Sequence, residues 1–138
     1  MEASEIKKAL EDNAQTPNYN RWIFESFRDF LGNCILEVGS GIGNITGYIA
    51  EDTGRQVILV DIMDEFTSVL KSKYGSNKNV EIFKCDVLDK EFINLVSDFK
   101  IDTVLCINVL EHLRDDLKAL CQIKKVMRSG GRLIILAP

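Results

Sequence analysis

The sequence predicts an α/β fold, an open, doubly wound parallel sheet with helices on both faces. Two observations carry this. Short apolar runs rich in β-branched residues occur at Cys34–Val38, Gln56–Asp61, Val80–Cys85, Thr103–Ile107 and Arg132–Ala137, and several are apolar at consecutive positions, as in Val57-Ile58-Leu59-Val60 and Leu133-Ile134-Ile135-Leu136. Strands covered on both faces read this way, whereas a strand with one wet face alternates. Between the runs lie stretches with helical spacing, and β-α alternation with right-handed crossovers makes the sheet parallel.

Each element has its own signal. A weak helix is predicted around Ile6 and Leu10, separated by Thr16-Pro17 from a second over about Asn20 to Leu31, marked by Ile23, Phe27, Phe30 and Leu31. Ile45, Tyr48 and Ile49 mark a helix after the first strand. Phe66, Val69 and Leu70 mark the next, ending near Gly75, and Phe92, Leu95, Val96 and Phe99 the one after. Leu113, Leu117, Leu120, Ile123 and Met127 fall on one face of the last helix, which Ser129-Gly130-Gly131 is expected to stop before the fifth strand.

Composition sets the outer limits. A chain of 138 residues with 46% apolar side chains suits one domain, read as an N-terminal helical cap over 1–31 on a core over 32–138. Seventeen basic and 21 acidic side chains leave a net charge of −4, which argues against a counterion-releasing nucleic-acid face. No apolar run approaches the length of a membrane span. The polar start, Met1-Glu2-Ala3-Ser4-Glu5, does not read as a secretory signal, so a cytoplasmic location is expected. Cys34, Cys85, Cys106 and Cys121 form no C-x-x-C pair, and with a single histidine no metal site is expected; reduced core thiols are the simplest account.

Ligands of such sheets bind beyond the carboxyl ends of the strands. The first strand ends in Glu37-Val38-Gly39-Ser40-Gly41-Ile42-Gly43-Asn44, where alternating glycines allow a sharp turn and close approach of a ligand to the backbone. The following helix is expected to offer free N–H groups there. The dinucleotide pattern G-x-G-x-x-G is not met, because Asn44 stands where its third glycine would be, and no G-K-[ST] phosphate loop is present. Glu37 would repel a pyrophosphate and suits a ligand carrying an ammonium group.

The segment Ile35–Gly43 resembles the first motif of the class I S-adenosylmethionine-dependent methyltransferases. Later strand ends match that family in order: Asp61 after the second strand, Cys85-Asp86-Val87 after the third, Ile107-Asn108-Val109-Leu110-Glu111-His112-Leu113 after the fourth, and Val126–Leu133 leading into the fifth. The resemblance covers roughly residues 18 to 138 and is greatest to the small-molecule branch. It implies a Rossmann-like sheet of order 3-2-1-4-5, S-adenosylmethionine as cofactor, and a small-molecule methyl acceptor. It also implies a cofactor site of Glu37, Gly39, Ser40, Gly41, Gly43, Asp61, Ile62, Met63, Asp86, Val87, Asn108 and Val109.

Within that set, Asp61 would accept the ribose hydroxyls, or it is a solvated strand-end acid. Ile62 and Met63 would pack on adenine, or belong to the core. By resemblance Asp86 accepts from the adenine amino group and the Val87 N–H bonds a ring nitrogen; alternatively Asp86 caps the helix starting near Asp89. Asn108 would offer its carbonyl to the cofactor's ammonium. His112, the only histidine, is the candidate general base, since this position faces the methyl acceptor in the family; otherwise it bonds a neighbouring carbonyl. The family's metal-binding Glu-x-x-Glu-His segment lacks its first carboxylate here, because that position is Asn108. Tyr19, Arg21 and Trp22 either touch ligand or, for Trp22, plug the core.

The alternative to an active enzyme is a non-catalytic cofactor-binding or interaction module, or the cofactor-binding part of a longer enzyme. The family continues past its fifth strand with a helix and two more strands, whereas Pro138 follows Ala137 directly. The expectation is therefore an apolar edge at Arg132–Ala137 that associates with a second copy or a partner chain.

Overall fold

The computed structural model describes residues 3–52 and 54–138. Two helices lead in, α1 (Ala3–Ala14) and α2 (Pro17–Phe27), the latter with proline in its first turn and running into a 3-10 turn at Arg28–Phe30. Five strands follow, β1 (Cys34–Val38), β2 (Gln56–Asp61), β3 (Val80–Lys84), β4 (Ile101–Ile107) and β5 (Met127–Leu136), all parallel in the order 3-2-1-4-5. Their connections carry α3 (Thr46–Ala50), α4 (Asp64–Tyr74), α5 (Lys90–Val96), a 3-10 turn at Leu110–His112 and α6 (Asp116–Val126).

The sheet separates two apolar layers. On one face Leu36, Ile58, Val104 and Cys106 pack with Phe92, Val96, Ala119 and Ile123 of α5 and α6. On the other Ile35, Val57, Leu59 and Leu105 pack with Ile23, Phe27, Ile49 and Leu70. Alternate residues of β1, β2 and β4 thus feed opposite layers, which is why their sequences are apolar at consecutive positions. Among the described residues, no helix is long and apolar enough to cross a membrane, and no group of three or more His, Cys, Asp or Glu side chains could hold a metal ion.

Several sequence expectations are corrected. The buried face of α6 is Ala119, Gln122, Ile123 and Val126, while Leu117 is 68% exposed. The helix begins only at Asp116, so Leu113 lies before it, and Met127 already belongs to β5. Ser129-Gly130-Gly131 does not separate helix from strand but lies in a bulge within β5. Two β4 positions, Ile101 and Thr103, face Met127 and Arg132, and Gly130 takes up the extra length at φ +76°. Trp22 does not plug the core; it is 63% exposed and stacks on Tyr19 with ring centroids 6.1 Å apart. Phe30 is exposed as well, because the α-helix has tightened into its 3-10 turn by that point.

Candidate active site

The glycine turn between β1 and α3 is fixed from three sides. Gly39, Gly41 and Gly43 all adopt positive φ, a conformation that L side chains seldom take. The Gly39 and Ser40 N–H groups donate to the Val60 carbonyl at 2.8 and 3.2 Å, and the Gly41 N–H donates to Asp61 Oδ2 at 2.9 Å. Helix α4 holds the turn's carbonyls: Lys73 Nζ donates to Ile42 O at 2.7 Å. These three N–H groups are thus engaged within the protein instead of being free for an anion, and α3 is only five residues long.

Two carboxylates are built into the floor. Glu37, on β1, is 4% exposed and accepts a 2.6 Å hydrogen bond from Thr46 Oγ1. Burial pushes its carboxyl up to about 7, with the Asp61 charge adding to the shift and the Thr46 bond opposing it. Asp61, at the end of β2, is 7% exposed and accepts from Gly41 N and Met63 N at 2.9 Å each. Burial raises its carboxyl too, against those backbone bonds. Asp61 is therefore the clasp between the glycine turn and the start of α4, not a solvated acid.

Asp86, after β3, accepts from the Leu88 N–H at 2.8 Å, a turn of its own loop; α5 has Asp89 at its start and takes no side-chain cap. That loop is tied from behind by Gln122, a buried side chain of α6 that donates to the Val87 carbonyl and, at 3.3 Å, to the Asp89 carbonyl. After β4, Asn108 stands at φ +54°, the one non-glycine residue with positive φ among those described, and its N–H donates to Leu136 O at 2.7 Å. His112 closes the 3-10 turn, its side chain 57% exposed and 4.0 Å from Glu111 Oε1.

These strand ends enclose one cavity of about 550 Å³. Glu37, Gly39, Ser40, Gly41, Asp61, Ile62, Met63, Asp86, Val87, Asn108, Val109 and His112 all line it. Gly43 is not among the lining residues. A Cβ there would meet Tyr74 at 2.9 Å and Leu70 at 3.1 Å, so its place is in the packing of the turn on α4. Of the N-terminal candidates Tyr19, Arg21 and Trp22, Tyr19 lines the cavity and the other two do not.

Sequence reasoning assigned α1 to the cap but named none of its residues at the site. Ile6, Ala9 and Leu10 face the cavity, the Leu10 carbonyl accepts from Asn44 Nδ2 at 2.9 Å, and Lys7 pairs with Glu65 at the start of α4. The spacing of Ile6 and Leu10 gave a helix, but nothing local says which face of the sheet it crosses. Gln122 was missed for a related reason, since a glutamine on a mixed helix reads as a solvent residue.

The methyltransferase-domain family matches residues 36–135, well over half of the chain. This chain belongs to it. The domain is of the class I, Rossmann-like type. It is 33% identical over 110 residues to the ubiquinone/menaquinone biosynthesis C-methyltransferase UbiE of Marinomonas sp. (strain MWYL1), an alignment covering 76% of this chain and 42% of that protein. It is 34% identical over 107 residues to the O-methyltransferase cnsE of Penicillium expansum, covering 75% and 37%. The methyltransferase domain thus spans less than half the length of these two relatives. Among solved structures, the N-terminal domain of EvdMO1 with SAH bound superposes with a TM-score of 0.65 at 25% identity, over 80% of this chain and 45% of that one. A SAM-dependent methyltransferase from Aquifex aeolicus shares the fold more completely, with a TM-score of 0.78 over 99% of this chain and 73% of that one, at 20% identity.

The cavity fits the cofactor the family implies. A sulfonium and an ammonium suit a floor carrying Glu37 and Asp61, and the Asp61 carboxylate keeps acceptor capacity beyond its backbone bonds. Beside it Ile62 is 58% exposed, an apolar surface that an adenine ring would cover. At Gly39 a Cβ would lie 2.5 Å from Val109 Cγ2, so the turn approaches the β4 side as closely as glycine allows.

Proposed function

We propose that this domain binds S-adenosylmethionine across the ends of β1 to β4 and that the protein containing it methylates a small molecule. The observation that carries the reading is the convergence of Glu37, Asp61 and Asp86 with the glycine turn in one largely apolar chamber. When bound, the cofactor supplies an electrophilic methyl group. Asp61 would accept the ribose hydroxyls, Ile62 and Met63 would cover the adenine, and Asp86 and the Val87 N–H would read its edge. Glu37 and the Asn108 carbonyl would face the ammonium, with Gly39, Ser40 and Gly41 giving backbone room beside Val109. His112, on the exposed rim, is placed to take a proton from an acceptor that has one to lose. Most of the rate would come from holding the acceptor in line with the methyl group.

The named activities of the two relatives, C- and O-methyl transfer, support methyl transfer as the reaction class. Residues 1–31 would act as the helical cap on the core of 32–138, a reading supported by Ile6, Leu10 and Tyr19 on the cavity. Strand β5 pairs with β4 alone, and Ile135 is 45% exposed, which supports association of this edge with a second copy or a further segment. The test is transfer of labelled methyl groups from S-adenosylmethionine into metabolite pools by the longest native form of the protein. Label in a small-molecule fraction is expected. Label entering only nucleic acid or protein, or none at all, would contradict the proposal.

A further inference from the structure

The cavity is divided by charge. Its carboxylates, Glu37, Asp61 and Asp86, stand at the ends of β1, β2 and β3, and its cationic side chain, Arg114, stands beyond β4 with His112. Arg114 is exposed and has no ion pair or hydrogen bond among the described residues. The adjacent acids do not pair with it. Asp115 Oδ1 accepts from the Lys118 N–H at 2.9 Å, capping α6, and Asp116 Oδ1 accepts from the Leu117 N–H at 2.7 Å. The guanidinium is therefore a free, planar, permanently charged fork on the wall of an otherwise acidic chamber, a form that matches a carboxylate or phosphate. Leu113 precedes it in the chain, and Tyr19, 46% exposed and stacked on Trp22, lines the same cavity.

We propose that the acceptor is an acidic, largely apolar small molecule whose carboxylate or phosphate is bound by Arg114, with Leu113 and Tyr19 against its apolar body. This rests on the cofactor reading above. The cofactor's own carboxylate is the competing partner for Arg114, and position argues against it. That carboxylate travels with the ammonium, whose partners are Glu37 at the buried floor and Asn108 directly after β4, whereas Arg114 is on the exposed rim past the 3-10 turn.

The test uses the chain loaded with S-adenosylhomocysteine and titrated calorimetrically with benzoate, phenyl phosphate and benzyl alcohol, the last as the neutral control. At least one anion should bind about tenfold or more tighter than the alcohol, as a charge-assisted bond requires. Arg114→Gln should remove that preference, Arg114→Lys should keep part of it, and neither should change S-adenosylhomocysteine affinity. Equal binding of all three probes would overturn the proposal, as would a tenfold loss of S-adenosylhomocysteine affinity in Arg114→Gln, which would reassign the guanidinium to the cofactor. Failure of the unmutated chain to bind S-adenosylhomocysteine would instead overturn the cofactor reading on which the proposal stands.

Discussion

The two walls of the cavity are built differently. On the β1–β2 side Glu37, Thr46 and Asp61 are buried and the polar groups hold one another: Asp61 clasps Gly41 and Met63, Thr46 bonds Glu37, and Lys73, from the exposed side of α4, holds Ile42. On the β4 side Asn108, Glu111, His112 and Arg114 are all exposed, and the His112 and Arg114 side chains make no short polar contact with the rest of the described chain. The first wall is rigid before any ligand arrives, which suits a cofactor of constant shape. The second leaves its chemistry on free side chains, which suits an acceptor that differs from one relative to another.

The largest expected effect comes from breaking the first wall. Gly39→Val would force a β-branched side chain to φ +70° and drive its Cβ into Val109. A loss of at least about 2 kcal/mol of stability is expected from strain and overpacking together, with cofactor binding abolished. An unchanged denaturation midpoint would show that the turn is not held as described. Gly41→Val is milder for the fold, since its Cβ would meet only the tip of Leu10, at 3.1 Å. It should displace α1 and also abolish cofactor binding.

On the second wall, His112→Ala should lower turnover about 10²-fold while leaving S-adenosylhomocysteine affinity intact. Equal turnover of both forms across about pH 6–8 would remove His112 from the chemistry. The same substitution in the first wall reads out differently: Asp61→Ala should weaken cofactor binding by roughly 1–3 kcal/mol, and it should also loosen the turn by freeing the Gly41 and Met63 N–H groups. Affinity unchanged in a folded variant would exclude the ribose role.

The most gradual effect is a pH dependence confined to the first wall. The Glu37 carboxyl lies at about 7 in the folded chain against an ordinary value of 4.5, so the folded form holds the proton more tightly. Its contribution to stability is complete below pH 4.5 and is lost as pH rises through about 7. The total is on the order of 3 kcal/mol, and the raised Asp61 carboxyl acts with the same sign. Glu37→Gln should flatten stability between those two pH values. A cationic ligand favours the carboxylate, so S-adenosylmethionine should bind more tightly as pH rises through about 7; the opposite slope would place its ammonium elsewhere.

The contrast between the walls also explains what the sequence discloses. Gly39, Gly41 and Asp61 are legible because positive φ and a strand-end clasp admit few residue types. The limits of β2, Gln56–Asp61, are legible because the apolar run Val57–Val60 is bounded by a polar residue at each end. On the second wall no packing rule selects Arg114, and its lack of an ion pair shows only once Asp115 is seen capping α6 and Asp116 bonding the Leu117 N–H. The mistaken stripe on α6 has a similar origin. Leu117 has the right spacing, but the helix turns Ala119 and Gln122 inward because Gln122 satisfies the Val87 carbonyl behind the loop that follows β3. The placement of α1 over Gly41 is wholly tertiary and has no local signature.

The central claim is that the buried, preorganised wall is a cofactor site for S-adenosylmethionine. The most direct measurement is a calorimetric titration of the chain with S-adenosylhomocysteine, repeated with NAD⁺ and with Asp61→Ala. Saturable one-site binding of S-adenosylhomocysteine, weakened in the variant and absent for NAD⁺, is the expected result. No binding of S-adenosylhomocysteine, with NAD⁺ bound in its place, would contradict the account.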